Sequence, residues 1–127
     1  MIAFNPTEVV ADVQRQWAAA FAARDFARLV DLYADDALFF GSAPALCADR
    51  VAIRAYFDGL PAGIELVDFP ALVARPVGEG AIMASGFWTF ALKGERLAFR
   101  LSWLLVDRGA GWRILQHHAA LKPATKL

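Results

Sequence analysis

From Ile64 to Leu121 the apolar residues of this chain recur at every second position, and that period constrains its fold more than any other feature. Strands are expected at about 64–75, 79–92, 95–107 and 111–121. In the third, Leu97, Phe99, Leu101, Trp103 and Leu105 share one face, while Arg96, Ala98, Arg100, Ser102, Leu104 and Val106 share the other. The first face is wholly apolar and must meet a covering layer. Lys93-Gly94 is short enough for a tight hairpin, and Asp107 to Gly111 makes a longer, glycine-rich one.

The covering layer lies in the N-terminal half, where the period lengthens. Pro6-Thr7-Glu8 opens a helix, with a hydroxyl able to cap free amides and an acid in the first turn. Val10, Val13, Trp17 and Phe21 then form one stripe at spacings of three and four. Asp25 caps a second helix carrying Phe26, Leu29, Val30 and Tyr33, which Asp35-Asp36 ends ahead of a short strand, Ala37 to Phe40. Beyond a loop from Gly41 to Ala48, Asp49 caps a third helix, with Ile53, Tyr56, Phe57 and Leu60 on its buried side, closed by Pro61-Ala62-Gly63. Three helices followed by long strands define an α+β chain, with the helices stacked on one side of a strongly curved antiparallel sheet. Such a cone leaves an interior suited to a small molecule.

Composition bears on what fills the cone. The 127 residues suit one domain, 1–127. They are 58% hydrophobic and 20% charged, against roughly 45–50% and 25% in ordinary soluble domains. The surplus must line a pocket, form a subunit interface, or both. Thirteen basic and thirteen acidic residues cancel, and without a basic stripe nucleic acid is not an expected partner. The single cysteine, Cys47, excludes an intrachain disulfide and suits a reducing compartment. The opening residues do not read as a signal peptide, and no apolar run reaches the roughly 18 residues of a membrane span. A cytoplasmic protein without membrane contact is expected.

The ordered fragments Trp17, Ala23-Arg24-Asp25, Leu32-Tyr33-Ala34-Asp35-Asp36, Ala52-Ile53-Arg54-Ala55-Tyr56-Phe57 and Gly111-Trp112-Arg113-Ile114-Leu115-Gln116-His117-His118 resemble the nuclear transport factor 2-like superfamily. The resemblance is to its SnoaL-like members and to the calcium/calmodulin-dependent protein kinase II association-domain group. It covers roughly Glu8 to Pro123 and implies a cone of three helices on a curved sheet, usually dimerising through the outer sheet face. No kinase activity is implied. Isomerases of the superfamily place an Asp base where this chain has Gly41 and an oxyanion-stabilising tyrosine where it has Trp17, so that chemistry lacks its base. The association domains place arginines where this chain has Trp103, Ala119 and a residue near Gly86, so a carboxylate-tuned pocket is not expected either.

The family's strand alternation points Arg113, Leu115, His117 and Ala119 into the cone, and Trp112, Ile114, Gln116 and His118 outward. His117 is then the candidate acid–base group, or else a buried histidine hydrogen-bonded to a neighbour. Tyr33 and Tyr56 are candidates to polarise a substrate. Trp17, Phe21, Phe57, Trp88 and Trp103 are the candidate ligand-binding aromatics, with Ala84 and Gly86 opposite them leaving room. Arg100, Trp112 and His118 are assigned to a homodimer interface. Asp35-Asp36 reads as a turn and capping device rather than a catalytic pair, and Cys47 has no partner in sequence to make it a nucleophile. No metal or cofactor is expected, since no other His or Cys is placed to join His117.

Three functions remain open: a homodimer binding a small apolar or aromatic molecule, a SnoaL-like cyclase, dehydratase or hydrolase using His117, and an oligomerisation module with a filled cone. A hollow of roughly 300 Å³ or more reaching His117 would favour the first two.

Overall fold

The computed structural model describes residues 3–123. Helix α1 (Pro6–Ala22) turns Val10, Val13, Trp17 and Phe21 inward, together with Gln14 and Ala20. Its cap is Asn5, whose side chain accepts from the Glu8 amide at 3.2 Å, with Pro6 at the first helical position in place of the expected Thr7 cap. Asp25 caps α2 (Phe26–Val30) and Asp49 caps α3 (Arg50–Asp58), as their sequence positions indicate.

Helix α2 stops before Tyr33, which opens strand β1 (Tyr33–Phe40). Tertiary pairing overrides the local helical signal here: the Leu32 carbonyl accepts from the Ile114 amide at 2.7 Å, and Arg50 donates twice to the Tyr33 carbonyl, at 2.6 and 2.9 Å. Asp35 and Asp36 accordingly lie within a strand. Each pairs with a different arginine, Asp35 with Arg50 at 2.9 Å and Asp36 with Arg108 at 2.8 Å.

The remaining strands are β2 (Glu65–Asp68), β3 (Val73–Gly78), β4 (Ala81–Leu92), β5 (Glu95–Asp107) and β6 (Trp112–Leu121). The expected strand at 64–75 is thus two, separated by Phe69-Pro70-Ala71-Leu72. Pro70 cannot donate to a ladder. The buried Gln14 amide completes the gap, donating to the Pro70 carbonyl at 3.2 Å and accepting from the Leu72 amide at 3.0 Å. The sheet order is β1-β6-β5-β4-β2, with β3 also on β4. All pairs are antiparallel except β1 with β6, which runs parallel at the edge. Lys93 and Gly94, both at positive φ, form the β4–β5 hairpin.

The inner face carries the core. Leu105, Trp103 and Leu101 of β5 are buried opposite Ile82, Ala84 and Gly86 of β4, with Trp88 on the same face, all beneath the helices. On β6 the expected alternation fails at one point. Leu105 pairs with Ile114 but Leu104 pairs with Gln116, so Leu115 is an extra residue in a bulge. Parity is reversed before the bulge and kept after it. Ile114 is therefore fully buried, and Trp112 packs edge-on against Phe4 at 4.8 Å, on the helix side rather than the outer face. His117 and Ala119 face inward and His118 outward, as expected.

Candidate functional site

At the open end of the cone an apolar cavity of about 60 Å³ reaches His117. Trp17 and Phe21 from α1, Phe57 from α3 and Trp88 from β4 line it, joined by Phe39 and Phe90. Ser42, Tyr56, Leu60 and Ile64 make the rim. Among the described residues the lining contains no charged side chain.

The volume is well short of the roughly 300 Å³ typical of a ligand pocket, and the reason lies in two glycines. Gly86 faces inward between Ala84 and Trp88, but the space it leaves is taken by the buried Leu72, 2.8 Å from where a Cβ would sit. Gly41, at the position of the isomerase base, lies directly under the Tyr56 ring, which any side chain there would overlap. As packed, the Tyr56 and Leu72 side chains occupy the space that a side chain at Gly41 or Gly86 would need. The aromatic rings pack on one another instead: Trp17 stacks on Phe21 at 5.0 Å and meets Trp88 edge-on at 5.0 Å.

Polar chemistry in the interior is one chain of hydrogen bonds. The Trp17 indole donates to the Tyr33 hydroxyl at 3.0 Å, and that hydroxyl is hydrogen-bonded to His117 Nδ1 at 2.9 Å. Trp103 Nε1 donates to the same Nδ1 at 3.0 Å. Tyr33 and Trp103 do not line the cavity; they stand behind His117 and hold its ring. Tyr33 therefore has no free hydroxyl to polarise a substrate, and Trp103 buttresses the histidine rather than forming a ligand wall. Phe39 covers the imidazole, ring centroids 4.3 Å apart.

Burial pushes the His117 pKa down to about 3, and the neighbouring His118 adds to the effect. The same burial raises that of Tyr33 far above its ordinary value, the Trp17 hydrogen bond offsetting little. At neutral pH both groups are uncharged. Tyr56 sits at the rim, where its hydroxyl accepts from the Ser42 amide at 2.9 Å and shares a 2.8 Å hydrogen bond with the Ser42 hydroxyl. Trp88 Nε1 is buried with no hydrogen-bond partner among the described residues, enclosed by the rings of Trp17, Trp103 and Phe69.

Phe39, Ser42 and Gln14 were not foreseen as parts of the site or its support. Alternation from Ala37 marks Phe39 as inward, but no spacing links Ser42 to Tyr56 or Gln14 to Pro70. Cys47 is half-buried, its backbone paired with Phe39, and burial raises its thiol pKa.

A cone with this interior defines a class that sequence comparison makes definite. The SnoaL-like domain family matches residues 10–123, and the chain belongs to it. Solved structures share the fold. A Xanthomonas campestris protein described as a calcium/calmodulin dependent protein kinase II association domain is 25% identical, with a TM-score of 0.82 over 91% of this chain and 87% of that one. An NTF2-like protein with a cystatin-like fold from Novosphingobium aromaticivorans is 19% identical, with a TM-score of 0.78 over 93% and 82%. A protein with a cystatin-like fold from Caulobacter vibrioides is 17% identical, with a TM-score of 0.77 over 94% and 91%. No curated protein matches the chain.

Proposed function

We propose that this domain binds a small, neutral, largely apolar molecule at the mouth of the cone and does so as a homodimer. The observation that carries the reading is the open, aromatic-walled cavity ending on an uncharged histidine. Acid–base turnover is the weaker alternative. His117 is held neutral, the isomerase base position is Gly41, and the Trp17 N–H is engaged by Tyr33. A filled interior serving assembly alone has the volume in its favour, since a hollow of about 60 Å³ falls short of the roughly 300 Å³ expected of a binder or enzyme.

The outer sheet face supports the homodimer. Met83 and Phe87 of β4 stand about half exposed beside Arg100 and His118, and Leu38 and Phe40 extend the apolar surface along β1. Trp112, on the helix side, does not belong to that interface. Among the described residues no helix is long and apolar enough to cross a membrane. Cytoplasmic residence is part of the proposal, supported by the lone cysteine.

The binding reading is tested by titrating neutral aromatic fragments into labelled protein and following the indole N–H signals of Trp17 and Trp88. Shifts in those two signals are expected. Unmoved signals at millimolar fragment would favour the filled-cone alternative.

A further inference from the structure

Building on the ligand-binding reading, we propose that His117 is a fixed hydrogen-bond donor, its proton locked on Nε2, and that the cavity selects ligands carrying an uncharged acceptor such as a carbonyl. An indole N–H can only donate. Trp103 Nε1 lies 3.0 Å from His117 Nδ1, so that nitrogen must present its lone pair. The Tyr33 hydroxyl, already accepting from Trp17, directs its own hydrogen to the same atom. Two donors converge on Nδ1, and a proton there would face the Trp103 hydrogen head-on.

A neutral imidazole with an unprotonated Nδ1 carries its proton on Nε2. His117 lines the cavity, and with Nδ1 engaged by Tyr33 and Trp103 its Nε2 is the nitrogen left to meet a ligand there. The titratable groups nearest the ring are Tyr33 of β1, Tyr56 of α3 beyond Phe39, and His118 on the opposite face of β6. Among the described residues no carboxylate bonds to it. The inner wall therefore offers a donor and no charge, and the Ser42 and Tyr56 hydroxyls at the rim are bonded to one another, a setting that suits a ketone, aldehyde or ester oxygen. A cationic amine would meet a like-oriented N–H. Tyr33 and Trp103 are positioning residues, and Trp103 is the decisive one because its N–H has no alternative role.

The experiment has three parts. Long-range proton–nitrogen spectra of the ligand-free protein at pH 6–8 should show His117 as the Nε2–H tautomer; an Nδ1–H or doubly protonated ring overturns the proposal. The same spectra on Tyr33→Phe should show the tautomer retained, because Trp103 still donates. In Trp103→Phe the Nδ1–H form becomes accessible and protonation moves up by about one pH unit or more; an unchanged ring overturns the lock.

Acetophenone, its isostere α-methylstyrene and 1-phenylethylamine are then titrated into the wild-type protein. Acetophenone should bind about tenfold tighter than the hydrocarbon, the ratio one buried hydrogen bond supports, and should shift the His117 Nε2 proton. The amine should bind weakest. Equal binding of ketone and hydrocarbon overturns the donor assignment and leaves the ligand-binding reading standing; binding by none of the three overturns that reading, and the proposed selectivity with it.

Discussion

The two faces of the β5–β6 ladder are built from the same strands and differ in almost everything else. On the inner face Leu101, Trp103, Leu105, Ile114 and His117 are buried, and the polar atoms of His117, Tyr33 and Trp103 are joined in one chain. On the outer face Arg100, Ser102 and His118 meet solvent, with Ser102 bonded across to Ser85 at 2.9 Å. His117 and His118, adjacent in sequence, lie on opposite sides of this boundary. Strand geometry separates them, and the environment on each side then decides what an imidazole can do. The inner face carries the buried hydrogen-bond chain of the histidine, while the outer face sets the Ser85–Ser102 pair beside the half-exposed Met83 and Phe87.

The contrast can be broken first by removing packing. Leu105→Ala should destabilise the protein by about 2–5 kcal/mol, as deletion of a fully buried leucine does. Leu104→Ala, one residue away on the other face, should cost under about 1 kcal/mol at concentrations too low for association. Urea denaturation of both variants makes the comparison, and equal losses would contradict the assignment of faces.

Acid gives the next largest effect. His117 is neutral in the fold with a depressed pKa, while the unfolded chain takes up a proton below about 6.5. The unfolded state then binds more protons, so the His117 contribution is complete above pH 6.5 and is lost as pH falls toward 3. Stability should decline by up to about 1.4 kcal/mol per pH unit from this group. In His117→Gln the slope between pH 6.5 and 5 should flatten, as denaturation midpoints across that range will show.

The smallest effect on the monomer should come from the outer face. Phe87→Glu should alter the stability of a single chain by no more than about 0.5 kcal/mol, while placing like charges at the proposed interface. Sedimentation should change from twice the 13.9 kDa chain mass to the chain mass itself. A wild-type protein sedimenting as a monomer at micromolar concentration would remove the homodimer from the proposal.

Much of this contrast was legible from residue spacing. The inner row of β5 and the caps Asp25 and Asp49 follow from periods and capping chemistry that act locally, whereas the inward placement of His117 came from the family resemblance. The misreadings share a different origin. Tyr33 continues a helical stripe by sequence, yet its segment pairs with β6, more than eighty residues away. The Leu115 bulge leaves no trace in composition, and it displaced Trp112 and Ile114 from their expected face. Pro70 did carry a readable warning against a continuous strand, but its companion Gln14 lies in another element. The cavity was overestimated because Gly86 signals space without revealing that Leu72 fills it. Long-range contacts decided each of these features, and a period read along the chain contains no information about them.

The most direct measurement is the proton titration of the His117 ring in the folded, ligand-free protein, followed through its carbon-bound hydrogens. A ring enclosed behind Phe39 and anchored by Trp103 should show no protonation step between pH 8 and 5. A step centred near pH 6.5 would mean that water reaches the imidazole freely, and the neutral apolar site described here would not exist.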